Sequence, residues 1–385
     1  MIIKSFFDQD QYKQSMAQAV AQCYPNAWAR YEFINRGPKD FPEGISNRIM
    51  EEVKAMKDLR LTDEEAEWYK ETCPYISPFF ISYLKGFRYD PSEIVYCYED
   101  EGDLKLRVEG PWFRTILWEV QLMAIISELY HDMKCHPRFG LLANDVHKFE
   151  LLNDVPFADF GTRRRRSYEN QDSIVSMAQK CCNFNGTSNI HLAHLNGVKP
   201  IGTQAHEWFM FHGSMFGYRM ANQIAMEKWV EVYQGSLGIA LSDTFTTNAF
   251  FKAFTMKYAK LFDGVRQDSG DPEEFAQKVI NHYRSLGIDP KSKTIVFSDN
   301  LNAEKALHLE YKFCKEIKCS FGIGTNLTCD IPNVKPLNMV IKMTACKEKE
   351  SGVWMPTVKL SDSLTKHTGD NLEIELCKKS LGIEL

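Results

Sequence analysis

From Phe157 to Leu327 the chain repeats one pattern: a short apolar run, a burst of polar and glycine residues, then a helix-like stretch. The apolar runs Leu237–Leu241, Lys293–Phe297 and Cys319–Phe321 are the clearest strands. Continuous Val/Ile/Leu-type runs are what parallel strands buried on both faces require. Seven polar bursts follow such runs: Asp159–Arg166, Gly186–Asn189, Gly202–Glu207, Ser242–Thr244, Arg266–Asp271, Ser298–Asn300 and Gly322–Asn326. Clusters at successive strand ends predict the mouth of a β/α barrel, where several loops converge on one pocket.

The preceding residues show other periods. Gln11–Cys23 reads as a helix after Asp8 and Asp10, Ala27–Asn35 as a strand, and Asn47–Lys57 as a helix. Alternation in Ile94–Tyr98 and Leu104–Val108 predicts a hairpin turning at Asp100–Asp103. Trp112–Tyr130 is the longest apolar stretch, and its Arg114, Glu119, Gln121 and Glu128 mark it as an amphipathic helix and not a membrane span. After Leu337 two extended segments, Leu337–Thr344 and Val353–Leu360, look antiparallel and are expected to return to the first domain. The predicted organisation is an α/β N-terminal domain over 1–135, a β/α barrel carrying the active site over 136–335, and a C-terminal segment, 336–385, that completes the first domain.

Composition narrows the class. With 385 residues, 44% hydrophobic and 12% aromatic, the chain can bury a large core and suits a globular enzyme. A net charge of -5 without a basic stripe argues against nucleic acid as a partner. The N-terminus lacks the apolar core of a secretory signal, and eleven cysteines without a CxxC motif fit reduced thiols, so a cytoplasmic location is expected. Cys181 and Cys182 read as small core residues.

The clusters carry the chemistry. A run such as Arg163 to Arg166 is ordinarily a solvated basic face, but behind the Asp159-Phe160-Gly161 turn it points toward an anionic ligand, because guanidinium forks match carboxylate and phosphate oxygens. Phe160 could stack on an aromatic ring. Asp271 before Pro272 is explained by helix capping, which leaves Arg266 and Asp268 unexplained at the strand end, where a carboxylate could hold ribose hydroxyls or a metal. Gly322-Ile323-Gly324-Thr325 offers backbone amides to a phosphate, with no Walker lysine and no full dinucleotide fingerprint. His206, at a strand-to-helix junction, can face a pocket as base or nucleophile. His191 and His194 are spaced i,i+3, yet further ligands for a shared metal cannot be picked out, and the metal ligands stay unknown.

Taken together, the six motifs Asp159–Arg165, Gly186–Asn189, Gly202–Trp208, Asp268–Pro272, Phe297–Asn300 and Phe321–Thr325, with Asp8–Lys13 and the stretch from Pro336 to Asp362, resemble the nicotinate phosphoribosyltransferase family along the whole chain. The resemblance implies a type II phosphoribosyltransferase: an irregular β/α barrel with an α/β N-terminal domain, working as a homodimer in NAD salvage. It implies nicotinate, phosphoribosyl pyrophosphate and ATP as ligands, with Mg²⁺ screening the pyrophosphate. Tyr12 from the partner subunit and Phe160 would sandwich the pyridine ring, and Arg163 and Arg266 would hold anionic groups. Asp268 and Asp243 would stand near the ribose, Asp299 would line the pocket, and Gly322, Gly324 and Thr325 would bind the 5'-phosphate. His206 would be phosphorylated by ATP. Ser188 stands where nicotinamide-using relatives carry aspartate, which favours a carboxylate substrate. The rival readings are a nicotinamide or quinolinate phosphoribosyltransferase, a catalytically silent nucleotide binder of the same fold, and a barrel glycosidase.

Overall fold

The computed structural model describes residues 1–363 and 366–383. Its strands, in chain order, are β1 Trp28–Asn35, β2 Ile94–Asp100, β3 Asp103–Pro111, β4 Phe157–Asp159, β5 Phe184–Thr187, β6 Ile239–Leu241, β7 Gly264–Gln267, β8 Thr294–Phe297, β9 Lys318–Ile323, β10 Met339–Lys347 and β11 Met355–Pro356. They form two sheets.

The five-stranded sheet has the order β11-β10-β1-β3-β2 and is antiparallel throughout. β2 and β3 form the expected hairpin: Asp100 pairs with Asp103, and Glu101 and Gly102 between them both have positive φ. Two such residues give the turn whose twist matches the flanking strands. β10 runs antiparallel beside β1 from Trp28↔Lys347 to Asn35↔Met339. The segment after Leu337 therefore does return to the N-terminal sheet, although only Met355–Pro356 of the second extended stretch forms a strand.

The six-stranded sheet is parallel, in the order β5-β4-β9-β8-β7-β6, with helices between successive strands. β5 and β6 are not paired with each other among the described residues. Irregular chain lies in that gap: Pro200 bridges to Thr187 on one side, and Thr203 Oγ1 donates to the Ile239 carbonyl at 3.1 Å on the other. This is a β/α architecture in which six strands and one strandless segment present the seven polar bursts; strand pairing does not close the expected barrel among the described residues.

The Trp112–Tyr130 stretch departs from expectation. It divides into short and long helices, Trp112–Thr115 and Trp118–Met133, and the long one is buried on every side from Trp118 to His131. Glu119 and Glu128 do not mark a solvent face; they meet Lys13 and Arg165 in the interior. The helix Gln11–Cys23 falls where the sequence places it and is buried from Gln11 to Val20. Cys181 is half-buried and Cys182 exposed at the turn before β5, not in the core. No helix among the described residues is long and apolar enough to cross a membrane.

Candidate active site

At the C-terminal ends of the parallel strands lies a cavity of about 570 Å³. Of the residues singled out in sequence, Tyr12, Phe160, Arg163, Ser188, His206, Arg266, Asp268, Asp299, Gly322, Gly324 and Thr325 all line it; Asp243 stands just behind the wall. Seven lysine or arginine side chains line the cavity against five carboxylates, in a chain whose net charge is -5. The local excess of cation favours an anionic ligand.

Its walls follow from local structure. Asp159, at the end of β4, accepts from the Gly161 amide at 2.8 Å, Thr187 Oγ1 at 2.7 Å and Gln171 Nε2 at 2.8 Å. That fixes the turn and sends Phe160 and Arg163 toward the cavity. The four arginines then divide. Arg163 and Arg164 line the cavity, whereas Arg165 grips Asp8 through both oxygens at 2.6 and 2.9 Å and Arg166 donates to the carbonyls of His136 and Pro137. Only half of the run is available to a ligand.

Gly322 has a reason beyond a phosphate cradle. A Cβ there would lie 2.4 Å from the Phe160 ring, so the missing side chain is what lets that ring lie over β9. On the facing side, a Cβ on Gly202 would come within 2.8 Å of the Tyr12 amide. Tyr12 belongs to the same chain as Phe160. The resemblance assigns that role to the partner subunit's tyrosine; within one chain the segment before Tyr12 is itself bound to the parallel-sheet domain, where Arg165 and Asn189 hold Asp8 and the Gln11 amide donates to the Ser188 carbonyl at 2.7 Å. Ser188 Oγ donates at 2.7 Å to Asp10, a buried carboxylate, so the ring slot holds an acid even though residue 188 is not one.

His206 opens the helix His206–Phe216, and both ring nitrogens are engaged. Nδ1 is 3.0 Å from Thr244 Oγ1; Nε2 is 2.8 Å from Asp268 Oδ2 and 2.8 Å from Lys359 Nζ. An Nε2–H donates to Asp268, whereas a bare Nε2 accepts from Lys359, so these two residues compete for one nitrogen. Burial, aided by the charge of Lys359, pushes the imidazole down to about 4, leaving it neutral near pH 7. Burial alone would raise the Asp268 carboxyl, but Arg266, His206 and Lys359 outweigh it and hold Asp268 well below the usual carboxylate range. Arg266 donates to the Gln204 carbonyl at 3.1 Å and sits 3.8 Å from Asp268. Asp243 accepts from Ser269 at 2.6 Å through one oxygen and leaves the other buried and unpartnered. Asp299 is held by Lys366 at 2.5 Å.

Several lining residues were not singled out in sequence: Arg36, Lys342, Lys359 and Lys366. Lys342 faces inward from β10, and burial brings its ammonium down to about 7. Lys359 lay inside the stretch carrying the resemblance, without a role attached to it. His191 and His194 do not form a site: His191 sits 3.6 Å from Glu65, and His194 lies against Trp68 with ring centroids 4.6 Å apart.

A cation-rich cavity of about 570 Å³ at parallel strand ends, lined by two aromatic rings and a neutral buried histidine, suits an enzyme of the β/α class that works on phosphorylated sugars or nucleotides. Comparison with known proteins carries this further. The profile of the nicotinate phosphoribosyltransferase family matches residues 155–384, and that of its N-terminal domain matches residues 7–127. The chain belongs to the nicotinate phosphoribosyltransferase family. It is 50% identical to the nicotinate phosphoribosyltransferase of Chromohalobacter salexigens, over 99% of each chain. Among solved structures, it is similar to the nicotinate phosphoribosyltransferase of Porphyromonas gingivalis, with a TM-score of 0.95 at 41% identity, covering 99% of this chain and 100% of that one. The corresponding Vibrio cholerae structure gives 0.92 at 34% identity, covering 100% and 94%.

Proposed function

We propose that this chain forms nicotinate mononucleotide and pyrophosphate from nicotinate and phosphoribosyl pyrophosphate, and that ATP cleavage through a phosphohistidine at His206 drives the reaction. The observation that carries the reading is His206 itself: a neutral imidazole between Asp268 and Lys359, at the wall of a cation-rich cavity that Tyr12 and Phe160 also line. Membership of the family and relatives bearing that name support it.

The chemistry asks little of a general base. The pyridine nitrogen of nicotinate carries no proton; it attacks C1 of the ribose as the C1–oxygen bond to pyrophosphate breaks. Positive charge grows on the sugar, and an ionised Asp268 is the group suited to stabilise it. Tyr12 and Phe160 hold the ring, while Arg163 and Arg266, with Lys342, face the carboxylate and phosphates. Gly324 and Thr325 stand at the expected 5'-phosphate end. In the second reaction an imidazole nitrogen takes the γ-phosphoryl group, ADP leaves, and water later cleaves the N–P bond. Lys359 and Arg266 then stand where the phosphoryl charge develops.

The residues also fit a magnesium ion. Asp243 and Asp268 offer carboxylate oxygens, and those of Asp243, Asp268 and a nitrogen of His206 lie within 4.8 Å of one another. The two carboxylates would hold the ion and His206 would not, since Mg²⁺ prefers oxygen. When bound, it would screen pyrophosphate charge. The family resemblance implies a homodimer in the cytoplasm, but with Tyr12 supplied in cis association is not needed to complete this cavity. We place domain boundaries near 135 and 335, the first supported by the gap between the two family matches and the second by the return of β10 to the N-terminal sheet.

The test is nucleotide formation with nicotinate, nicotinamide or quinolinate, with and without ATP, for the parent and His206→Ala. Selective use of nicotinate and an ATP-raised yield that disappears in His206→Ala are expected. Turnover of another pyridine would reassign the substrate, with Asp10 beside Ser188 as the first residue to revisit; no product at all would point to a silent binder.

A further inference from the structure

Lys13 takes no part in the chemistry above, yet its ammonium is fully buried. It lies 2.5 Å from Glu119 and 2.7 Å from Glu207. A buried ion cluster is a weak stability device, because desolvation offsets most of the attraction, so its placement points to another use. Each member adjoins a residue of the cavity. Lys13 follows Tyr12 in the helix Gln11–Cys23, Glu207 follows His206 in the helix His206–Phe216, and Glu119 is 3.6 Å from Arg163. One ammonium thus bridges the helix that presents the ring-facing tyrosine and the helix that presents the histidine.

We propose that Lys13 is a positioning residue that couples two helices lining the cavity, holding Tyr12 and His206 at a fixed separation so that ring binding and ATP cleavage stay in step. The inference rests on the ATP-coupled reaction proposed above. With an apolar side chain at position 13, Glu207 loses the ammonium that pairs it and is left beside Glu119, whose remaining partner is Arg163 at 3.6 Å. Their repulsion parts the two helices where they meet the cavity, and an ångström of misplacement at a reacting site costs about 100-fold in rate.

The experiment compares the parent with Lys13→Met, Lys13→Arg, Glu207→Gln and the Lys13→Met/Glu207→Gln double variant. Nicotinate KM, phosphoribosyl pyrophosphate KM, ATP hydrolysed per nucleotide formed and the thermal midpoint are measured for each. Lys13→Met is expected to raise nicotinate KM and ATP consumed per nucleotide by about tenfold or more, with phosphoribosyl pyrophosphate KM within about threefold of the parent. Lys13→Arg should recover part of the loss, and the double variant should be no worse than Lys13→Met, since both substitutions act on one contact. Folded variants with parental coupling, or effects that simply add, would overturn the role of Lys13. Should Lys13→Met not fold, Glu207→Gln keeps the side-chain shape, weakens the same bridge and decides the matter by the same ratio. A parent whose yield does not respond to ATP would instead overturn the coupled reaction, so the two failures are told apart.

Discussion

His206 shows how much of a residue's chemistry is set by what surrounds it. Its neutral form persists because burial and Lys359 press its titration down to about 4, against an ordinary value near 6.5. With saturating ATP, phosphoenzyme formation should stay nearly level from pH 8 to pH 5, where an unperturbed histidine would be only about 3% neutral. Rapid-quench measurement of acid-labile phosphate across that range checks this, and a fall centred near 6.5 would refute it. The linkage has a matching sign. The unfolded chain binds a proton here at higher pH than the folded one, so the contribution of His206 to stability is complete above about 6.5 and is lost as pH falls toward 4. His206 was legible in the sequence because it interrupts an apolar pattern beside glycines. Lys342 and Lys359 were not, because one lies in an ordinary strand and the other in a loop far along the chain, and only folding brings them to the histidine's side.

Among elements, the turn after β4 does two jobs with four consecutive arginines. Arg163 and Arg164 face the ligand cavity, while Arg165 nails the Asp8 segment, and with it the start of the Gln11–Cys23 helix, onto the parallel-sheet domain. Arg165 is fully buried with Asp8 and Glu128, so Arg165→Met should cost about 3–5 kcal/mol by stranding two carboxylates, measurable as a lowered urea midpoint. Loss of nicotinate affinity should accompany it, since Tyr12 rides on that segment. The Gln11–Cys23 helix and the β2–β3 hairpin could be read locally, because polarity period and turn residues specify them. The Trp118–Met133 helix could not: its charged residues look solvent-facing until Lys13 and Arg165, roughly a hundred and fifty residues apart in sequence, are seen to neutralise them. Local pattern reports period and punctuation; it is blind to partners at long range.

At the scale of the whole molecule, one chain encloses the cavity: Tyr12, Phe160, His206 and Lys359 all come from it. Specific activity should therefore be independent of protein concentration across any monomer–oligomer equilibrium. Assays from nanomolar to micromolar enzyme, set beside sedimentation profiles, check this; activity that falls with dissociation would show that a second subunit is needed after all.

The pairing of β1 with β10 governs how the protein is made. Residues 28–35 leave the ribosome some three hundred residues before residues 339–347, which they require as a neighbour. Until then β1 presents an open hydrogen-bonding edge, the usual template for unwanted strand addition. The N-terminal sheet can pair only through its hairpin side during nearly all of synthesis, and closure waits for a contact of very large sequence separation, the slow kind to form. An early stop in translation would thus release a chain that is sticky as well as inactive, and the last eighth of the gene decides whether the first tenth stays soluble.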